Sequence, residues 1–311
     1  MSYIYLLAGE NLELAEAELK GFLESQGISE KPVRREKLVE TDSEPSQLKR
    51  LALTHEVSRK ETEISRKEIE EFSPDKKPES SFAVRVKNLT EDKDIRDIES
   101  HLGRKFSSKN NSVDLENPEK VIKAYILDEK IIIAHLIEDI DRGLFEKRKN
   151  QNRPFSSPVS LDPVLARVLV NLSGTKPGEN LLDPFCGTGG ILIEAGLCGI
   201  GVCGTDIKNA MVEGCRKNLE KYGVISHDIR KGKVSEALEI FDREFSAVVT
   251  DLPYGKSSKT TESAVEDFIE LVENFDGRAV FMYNEEEIYG MKADFSVYIH
   301  RNLTRHIFVE K

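Results

Sequence analysis

The sequence lacks a long hydrophobic run. Its most extended apolar stretches, such as Lys130–Ile137, fall far short of the roughly 20 residues that a membrane-spanning helix requires. The start, Met1–Glu10, lacks a basic segment ahead of an apolar one, so no secretory signal is read there and a cytoplasmic protein with no membrane partner is expected. Cysteine is scarce, with Cys186, Cys198, Cys203 and Cys215 only. None forms a C-x-x-C pair and no histidine lies at ligand spacing to them, which excludes the common zinc arrangements. Four reduced thiols packed near a core, and no metal, are expected.

Positive charge is also in deficit: 45 Lys and Arg stand against 56 Asp and Glu, a net charge of −11. That excludes a protein that binds nucleic acid simply by being basic. A local patch would still suffice for RNA. Two runs qualify: Lys147, Arg148, Lys149 and Arg153 in one, and Arg104, Lys105 and Lys109 in the other. Either run, taken alone, reads more readily as a solvated surface.

What is present is enough apolar material, 39% of 311 residues, for two domains with real cores. In the first half, Tyr3–Ala8 reads as a strand, and Asn11 can cap a helix over Leu12–Ser25 with Leu12, Ala15, Leu19, Phe22 and Leu23 on one face. Leu48–Val57 is predicted helical, and the highly charged Lys60–Ser80 is predicted to be an exposed segment and loop. Phe82–Val86 alternates as a strand should, and a helix is predicted over about Asp92–Gly103. Val121–Ile126 and Lys130–Ile137 read as strands joined at Leu127-Asp128-Glu129. This half is a small α+β assembly. Residues 141–157 are polar, basic and broken by proline, and form the predicted linker.

The second half changes character. Ser160 is a candidate helix cap, with Pro163 in the first turn and Leu165, Val168, Leu169 and Leu172 at helical spacing. Strands at Asn180–Asp183, Gly201–Thr205, Phe245–Thr250 and Ala279–Tyr283 then alternate with helices at Gly190–Cys198, Ile207–Tyr222 and Ala264–Phe275. Such alternation argues for a mostly parallel sheet with helices on both faces, an α/β fold. Ser296–His300 and Arg305–Glu310 are separated only by a tight turn, so that pair must be antiparallel and closes the sheet as a hairpin.

Three features carry chemistry. The first is Asp183-Pro184-Phe185-Cys186-Gly187-Thr188-Gly189-Gly190, where a strand runs into a glycine turn and a helix leaves it. Glycines let backbone N–H groups approach a ligand closely. A plain strand-to-helix turn would look similar, and a dinucleotide site is a rival, but the spacing is not G-x-G-x-x-G. Asp183 would repel a pyrophosphate and suits the ammonium of a bound amino acid. The second is Asp206, with Ile207, at the end of the next strand, placed to accept both hydroxyls of a ribose or to cap the following helix. Asp228 follows a weakly apolar run and could accept an adenine amine, or be an exposed turn residue. The third is Asp251-Leu252-Pro253-Tyr254-Gly255 after the strand Ala247-Val248-Val249. A proline-glycine turn alone would be unremarkable. All three features, however, fall at the carboxyl ends of strands, where open α/β sheets place their ligands.

These residues resemble the Rossmann-like amino-methyltransferases that carry an (Asp/Asn)-Pro-Pro-(Tyr/Phe) motif. Residues 153–172 are similar to the helix preceding that fold in the THUMP-domain tRNA guanosine-10 N2-methyltransferases, and Ser112–Glu119 with the two strands after it resembles the end of a THUMP domain. The resemblance implies a ferredoxin-like piece over 1–44, a THUMP-type RNA-binding domain over 45–140 and a methyltransferase domain over 158–311. It implies S-adenosylmethionine as cofactor, held by Asp183 to Gly190, Asp206, Ile207, Asp228 and Asp251. It implies tRNA as the partner, and it allows a small activator protein. Asp251 and the Leu252 carbonyl would accept the two N–H groups of a guanine N2 amine, with Asp251 a candidate base and Tyr254 stacking on the ring. Leu252 stands where the family pattern has proline; the backbone carbonyl is kept, while the loop is less fixed in φ.

Overall fold

The computed structural model describes residues 1–91, 97–158, 160–253, 259–300 and 303–311. Tyr254, and the start of the helix predicted from Asp92, lie outside the described residues. In chain order the elements of the first half are β1 (Tyr3–Leu7), α1 (Leu12–Glu24), β2 (Val33–Arg35), β3 (Leu38–Thr41), β4 (Thr54–Ser65), β5 (Phe82–Asn88), α2 (Ile98–Phe106), β6 (Lys120–Ile126) and β7 (Lys130–Asp139). The second half adds α3 (Gly143–Glu146), α4 (Pro163–Leu172), β8 (Asn180–Asp183), α5 (Gly190–Gly196), β9 (Gly201–Asp206), α6 (Asn209–Lys221), β10 (His227–Lys231) and β11 (Ala247–Asp251). It closes with α7 (Lys259–Asn274), β12 (Arg278–Tyr283), the short pair β13 (Glu287–Ile288) and β14 (Met291–Lys292), β15 (Phe295–His300) and β16 (Leu303–Glu310). No helix among the described residues is long and apolar enough to cross a membrane. The four cysteines are buried free thiols.

The chain divides into two compact units. One comprises Met1–Leu12, Glu30–Lys49 and Thr54–Ile140, and the other Glu13–Ser29, Arg50–Leu53 and Asp141–Lys311. The first unit is built on one seven-stranded sheet in the order β2-β3-β1-β4-β7-β6-β5, in which β5 and β6 pair in parallel and the other neighbours antiparallel. Leu102 and Phe106 of α2 close a core with Phe82, Val84, Ile122, Ala124, Ile131 and Ile133.

The helix predicted over Leu48–Val57 is overturned here, and so is the first part, residues 60–65, of the exposed segment and loop predicted over Lys60–Ser80. Leu48–Arg50 makes only a single 3-10 turn, and Thr54–Ser65 is a twelve-residue strand. Pairing on both sides decides the matter, because β4 sits between β1 and β7. Its charged second half is stabilised by partners on other strands. Lys60 meets Glu40 at 2.8 Å, and Glu63 meets Arg35 at 2.9 Å and Lys130 at 2.6 Å. A charge run with the composition of a solvated loop is a cross-strand ion-pair network.

The second unit carries a seven-stranded sheet in the order β10-β9-β8-β11-β12-β16-β15. β10 through β12 run parallel, while β16 pairs antiparallel with both β12 and β15. This is the predicted Rossmann-like arrangement. Its core includes Leu182, Val248, Leu252, Phe268, Phe281 and Phe308; the Phe281 and Phe308 rings stack with centroids 4.8 Å apart. β10 has no strand signature, being mostly polar (HDIRK), and forms because β9 offers a parallel edge. Asp162, not Ser160, caps α4: its Oδ1 accepts the Val164 N–H at 2.9 Å, with Pro163 at the first helical position. α1 belongs here through Glu18, a fully buried carboxylate that accepts from the Ala52 and Leu53 N–H groups and from the Asn171 side-chain amide.

Candidate active site

The strand order places the site. β8 sits in the middle of the parallel region; β9 lies on one side of it and β11 on the other. The chain therefore leaves the carboxyl ends of β8 and β11 in opposite directions, and a crevice opens between them, the usual ligand position in such sheets. A cavity of about 890 Å³ lies there, within the ordinary range for small-molecule sites. Asp183, Pro184, Phe185, Cys186, Gly187 and Gly190 line it from the turn after β8, Asp206 and Ile207 from the end of β9, and Asp251, Leu252 and Pro253 from the end of β11.

The turn after β8 keeps its shape by backbone bonds. Cys186 N–H donates to Thr205 O at 2.9 Å and Gly189 N–H to Cys186 O at 2.7 Å. Gly187 and Gly189 have φ of +49° and +82°, a region that costs other residues energy. At Gly189 a Cβ would also lie 2.6 Å from the Cys215 sulfur. Asp183 is buried. It accepts the Thr250 hydroxyl at 2.6 Å and the Phe185 N–H at 3.1 Å, both neutral donors. Burial raises its carboxyl from 3.8 to about 7. Asp206 is likewise raised by burial, while accepting the Lys208 and Gly187 N–H groups. Two carboxylates thus face one cavity, and no salt bridge to either is found among the described residues. This pair of acceptors fits S-adenosylmethionine: the ammonium would relieve Asp183, and ribose hydroxyls would donate to Asp206.

Asp251 ends β11, and its carboxylate forms an ion pair with Arg305 of β16. Leu252 is buried and donates its N–H to Met282 O at 3.0 Å. Asp228 stands apart from the cavity on the edge strand β10, bound to Arg230 at 2.7 Å.

The basic residues fall into two groups. Arg104, Lys109 and Lys147 are exposed. Lys105 donates to Glu70 O, and Lys149 pairs with Glu146 at the surface. Arg148 and Arg153 turn inward. Arg148 binds Glu194, a fully buried carboxylate of α5 that also meets Arg167 at 2.8 Å. Arg153 is only 6% exposed; it donates to Arg148 O at 2.9 Å and reaches Ser160 and Thr188 of the glycine turn at 3.0 and 3.4 Å. A run of charge in sequence carries no sign of which members fold inward. Among residues not assigned to the site from sequence, Ser157, Ser160, Lys208, Met211, Lys233, Ser263 and Asp267 line the cavity. Ser157 and Ser160 lie within 153–172, the segment similar to the family's preceding helix, so a signal was available for those two.

Fold and site together define an α/β methyltransferase whose chain also carries a second, α+β unit. Residues 150–288 match the RMKL-like methyltransferase domain, and residues 58–136 match the THUMP domain. The crystal structure of TrmN from Thermus thermophilus shares this fold, with a TM-score of 0.54 and 18% identity, all of both chains being covered. In sequence the chain is 35% identical to the tRNA (guanine(10)-N2)-dimethyltransferase of Methanothermobacter thermautotrophicus, over 99% of each. It is 32% identical to the protein of that name from Methanocaldococcus jannaschii, again over 99% of each. The chain belongs to the tRNA (guanine(10)-N2)-dimethyltransferase family.

Proposed function

We propose that this chain transfers methyl groups from S-adenosylmethionine to the exocyclic N2 of guanosine 10 in tRNA, adding one and then a second. The observation that supports this reading best is the meeting of the turn after β8 and Asp251-Leu252-Pro253 on one cavity. The family membership supports the choice of nucleoside.

Bound in the cavity, S-adenosylmethionine supplies an electrophilic methyl on a sulfonium. Asp183 holds the ammonium and Asp206 the ribose hydroxyls. Ile207 and Met211 offer apolar surface to the adenine, and the pairing of Asp228 with Arg230 leaves Asp228 out of this role. The guanine amine is a weak nucleophile because its lone pair is delocalised into the ring. Asp251 and the Leu252 carbonyl accept its two N–H groups and so fix its direction; such orientation can supply roughly 7–11 kcal/mol of the barrier. The bound cofactor would supply the methyl, its sulfur keeping the electron pair, and N2 would give up one proton to solvent water. One N–H remains, so one of the two acceptors can still hold the amine for a second transfer. Tyr254 supplies the ring on which the extruded base stacks, an interaction worth about 1–3 kcal/mol. Of the basic residues, Arg104, Lys105, Lys109, Lys147 and Lys149 are the ones available to phosphates.

The test is incubation of unmodified tRNA transcript with labelled cofactor, followed by mapping of the modified nucleoside. Labelled N2-methyl- and N2,N2-dimethylguanosine at position 10 are expected. Label confined to another guanosine would replace the site assignment, and no label on any RNA would defeat the enzyme reading.

A further inference from the structure

β16 brings a cation to the site from the far end of the domain's sequence. It is the antiparallel neighbour of β12, which itself flanks β11. Arg305 near its start is only 2% exposed, and its guanidinium reaches across to Oδ1 of Asp251. Oδ1 is buried, although the Asp251 side chain keeps 21% of its surface open. The open part therefore lies on the side away from the arginine, where Asp251 lines the cavity. A buried guanidinium is costly to maintain without a purpose or a partner. Burial pulls Arg305 down only to about 10, so it carries its charge near neutral pH.

We infer that Arg305 is a positioning residue for methyl transfer: it locks Oδ1 of Asp251, turns Oδ2 toward the target amine, and keeps Asp251 an anionic hydrogen-bond acceptor and not a proton acceptor. This rests on the proposed amine-methyltransferase reading and deepens it. A carboxylate fixed on one side by a guanidinium has its second oxygen directed and its charge balanced. It can hold an N–H and balance the positive charge that grows on N2 as the N–C bond forms. The proton that N2 then loses passes to solvent water, and Asp251 is unchanged at the end of the cycle. The sequence motif tolerates Asn as well as Asp in this place, which fits an acceptor and does not fit a base; here the arginine answers the charge that Asn would not bring.

The test is a double-mutant cycle on tRNA methylation using Arg305→Met, Arg305→Lys, Asp251→Asn and Asp251→Asn/Arg305→Met. For Arg305→Met, kcat is expected to fall about 10- to 100-fold, somewhat less than for loss of a direct donor. KM for tRNA and the cofactor Kd measured by calorimetry should stay within about threefold, and Arg305→Lys should lie between. The decisive comparison is in the Asp251→Asn background, where the arginine has no charge to hold. Arg305→Met should then cost less than about threefold, a clear coupling between the two sites. Equal losses in both backgrounds, or cofactor binding and thermal stability lost in step with kcat, would show a structural arginine and overturn the inference. So would wild-type kcat in Arg305→Met. The coupling is measured on whichever nucleoside the wild-type chain modifies, so an error in the assigned nucleoside would change the substrate and leave this result standing or falling by itself.

Discussion

At the scale of single residues, two carboxylates in the cavity have different surroundings, and different behaviour is expected of them. Asp251 is held by a cation, and its removal should leave the donor site intact. Asp251→Ala is expected to lose about 10²- to 10³-fold in kcat with cofactor affinity unchanged, as read by single-turnover kinetics and calorimetry. Asp183 has only neutral donors and is raised by burial to about 7. Between pH 4 and 7 the folded chain therefore binds more protons at Asp183 than the unfolded chain does, so this group lowers stability as pH rises through that window. A cationic ligand reverses its preference. Cofactor affinity should climb as pH rises through about 7, with proton release visible as a buffer-dependent binding enthalpy, and Asp183→Asn should bind weakly with no such dependence. The residues of the turn from Asp183 to Gly190 were legible in the sequence because strand, glycines and helix follow one another without a gap. Arg305 was not, since one arginine in a polar hairpin carries no sign that a sheet will lay it beside a carboxylate more than fifty positions earlier.

At the scale of elements, local pattern succeeded where burial enforced it and failed where pairing did. The strands β8, β9, β11 and β12 are buried and read as apolar runs. β10 and the charged half of β4 are stabilised by their neighbours, and no periodicity within either could disclose that. For β4 the network has a pH signature. Lys130, Lys60 and Arg35 hold Glu63 down to about 2 against the opposing effect of burial. The stability it contributes is thus present above the ordinary glutamate range and is lost as pH falls from about 4.5 to 2. Glu63→Gln should unfold more easily than wild type at neutral pH, and the difference should shrink to nothing in acid titrations followed by circular dichroism. The turn after β8 is constrained in another way. Gly189→Ala meets both a left-handed backbone and the Cys215 sulfur. A loss of about 1–3 kcal/mol in stability, together with weaker cofactor binding, is expected from thermal melts and calorimetry.

At the scale of the whole molecule, a net charge of −11 has to coexist with a polyanionic substrate. Cations are outnumbered, 45 to 56, and two of the basic residues singled out in the sequence, Arg148 and Arg153, are turned inward. Reversing the charge of Lys147 and Lys149 together is expected to weaken tRNA binding and to flatten its salt dependence, by about one unit of log–log slope for each phosphate no longer neutralised. Arg153→Ala should instead lower stability by about 1–3 kcal/mol through forfeited hydrogen bonding, read as a lower melting temperature, with the salt slope untouched. The two outcomes separate RNA-binding cations from internal supports in one set of binding and melting curves.

The place of β16 also has a consequence for how the protein is made. It lies inside the second sheet, between β12 and β15, yet the ribosome delivers it after every other strand of that sheet. Until it arrives, β12 presents Val280, Phe281 and Met282 along an open edge of the kind that recruits foreign strands. A nascent chain halted after β12 therefore has a sheet with a sticky margin and an Asp251 without the arginine that it pairs with, so the ion pair and the cover over that edge are acquired in the same late step.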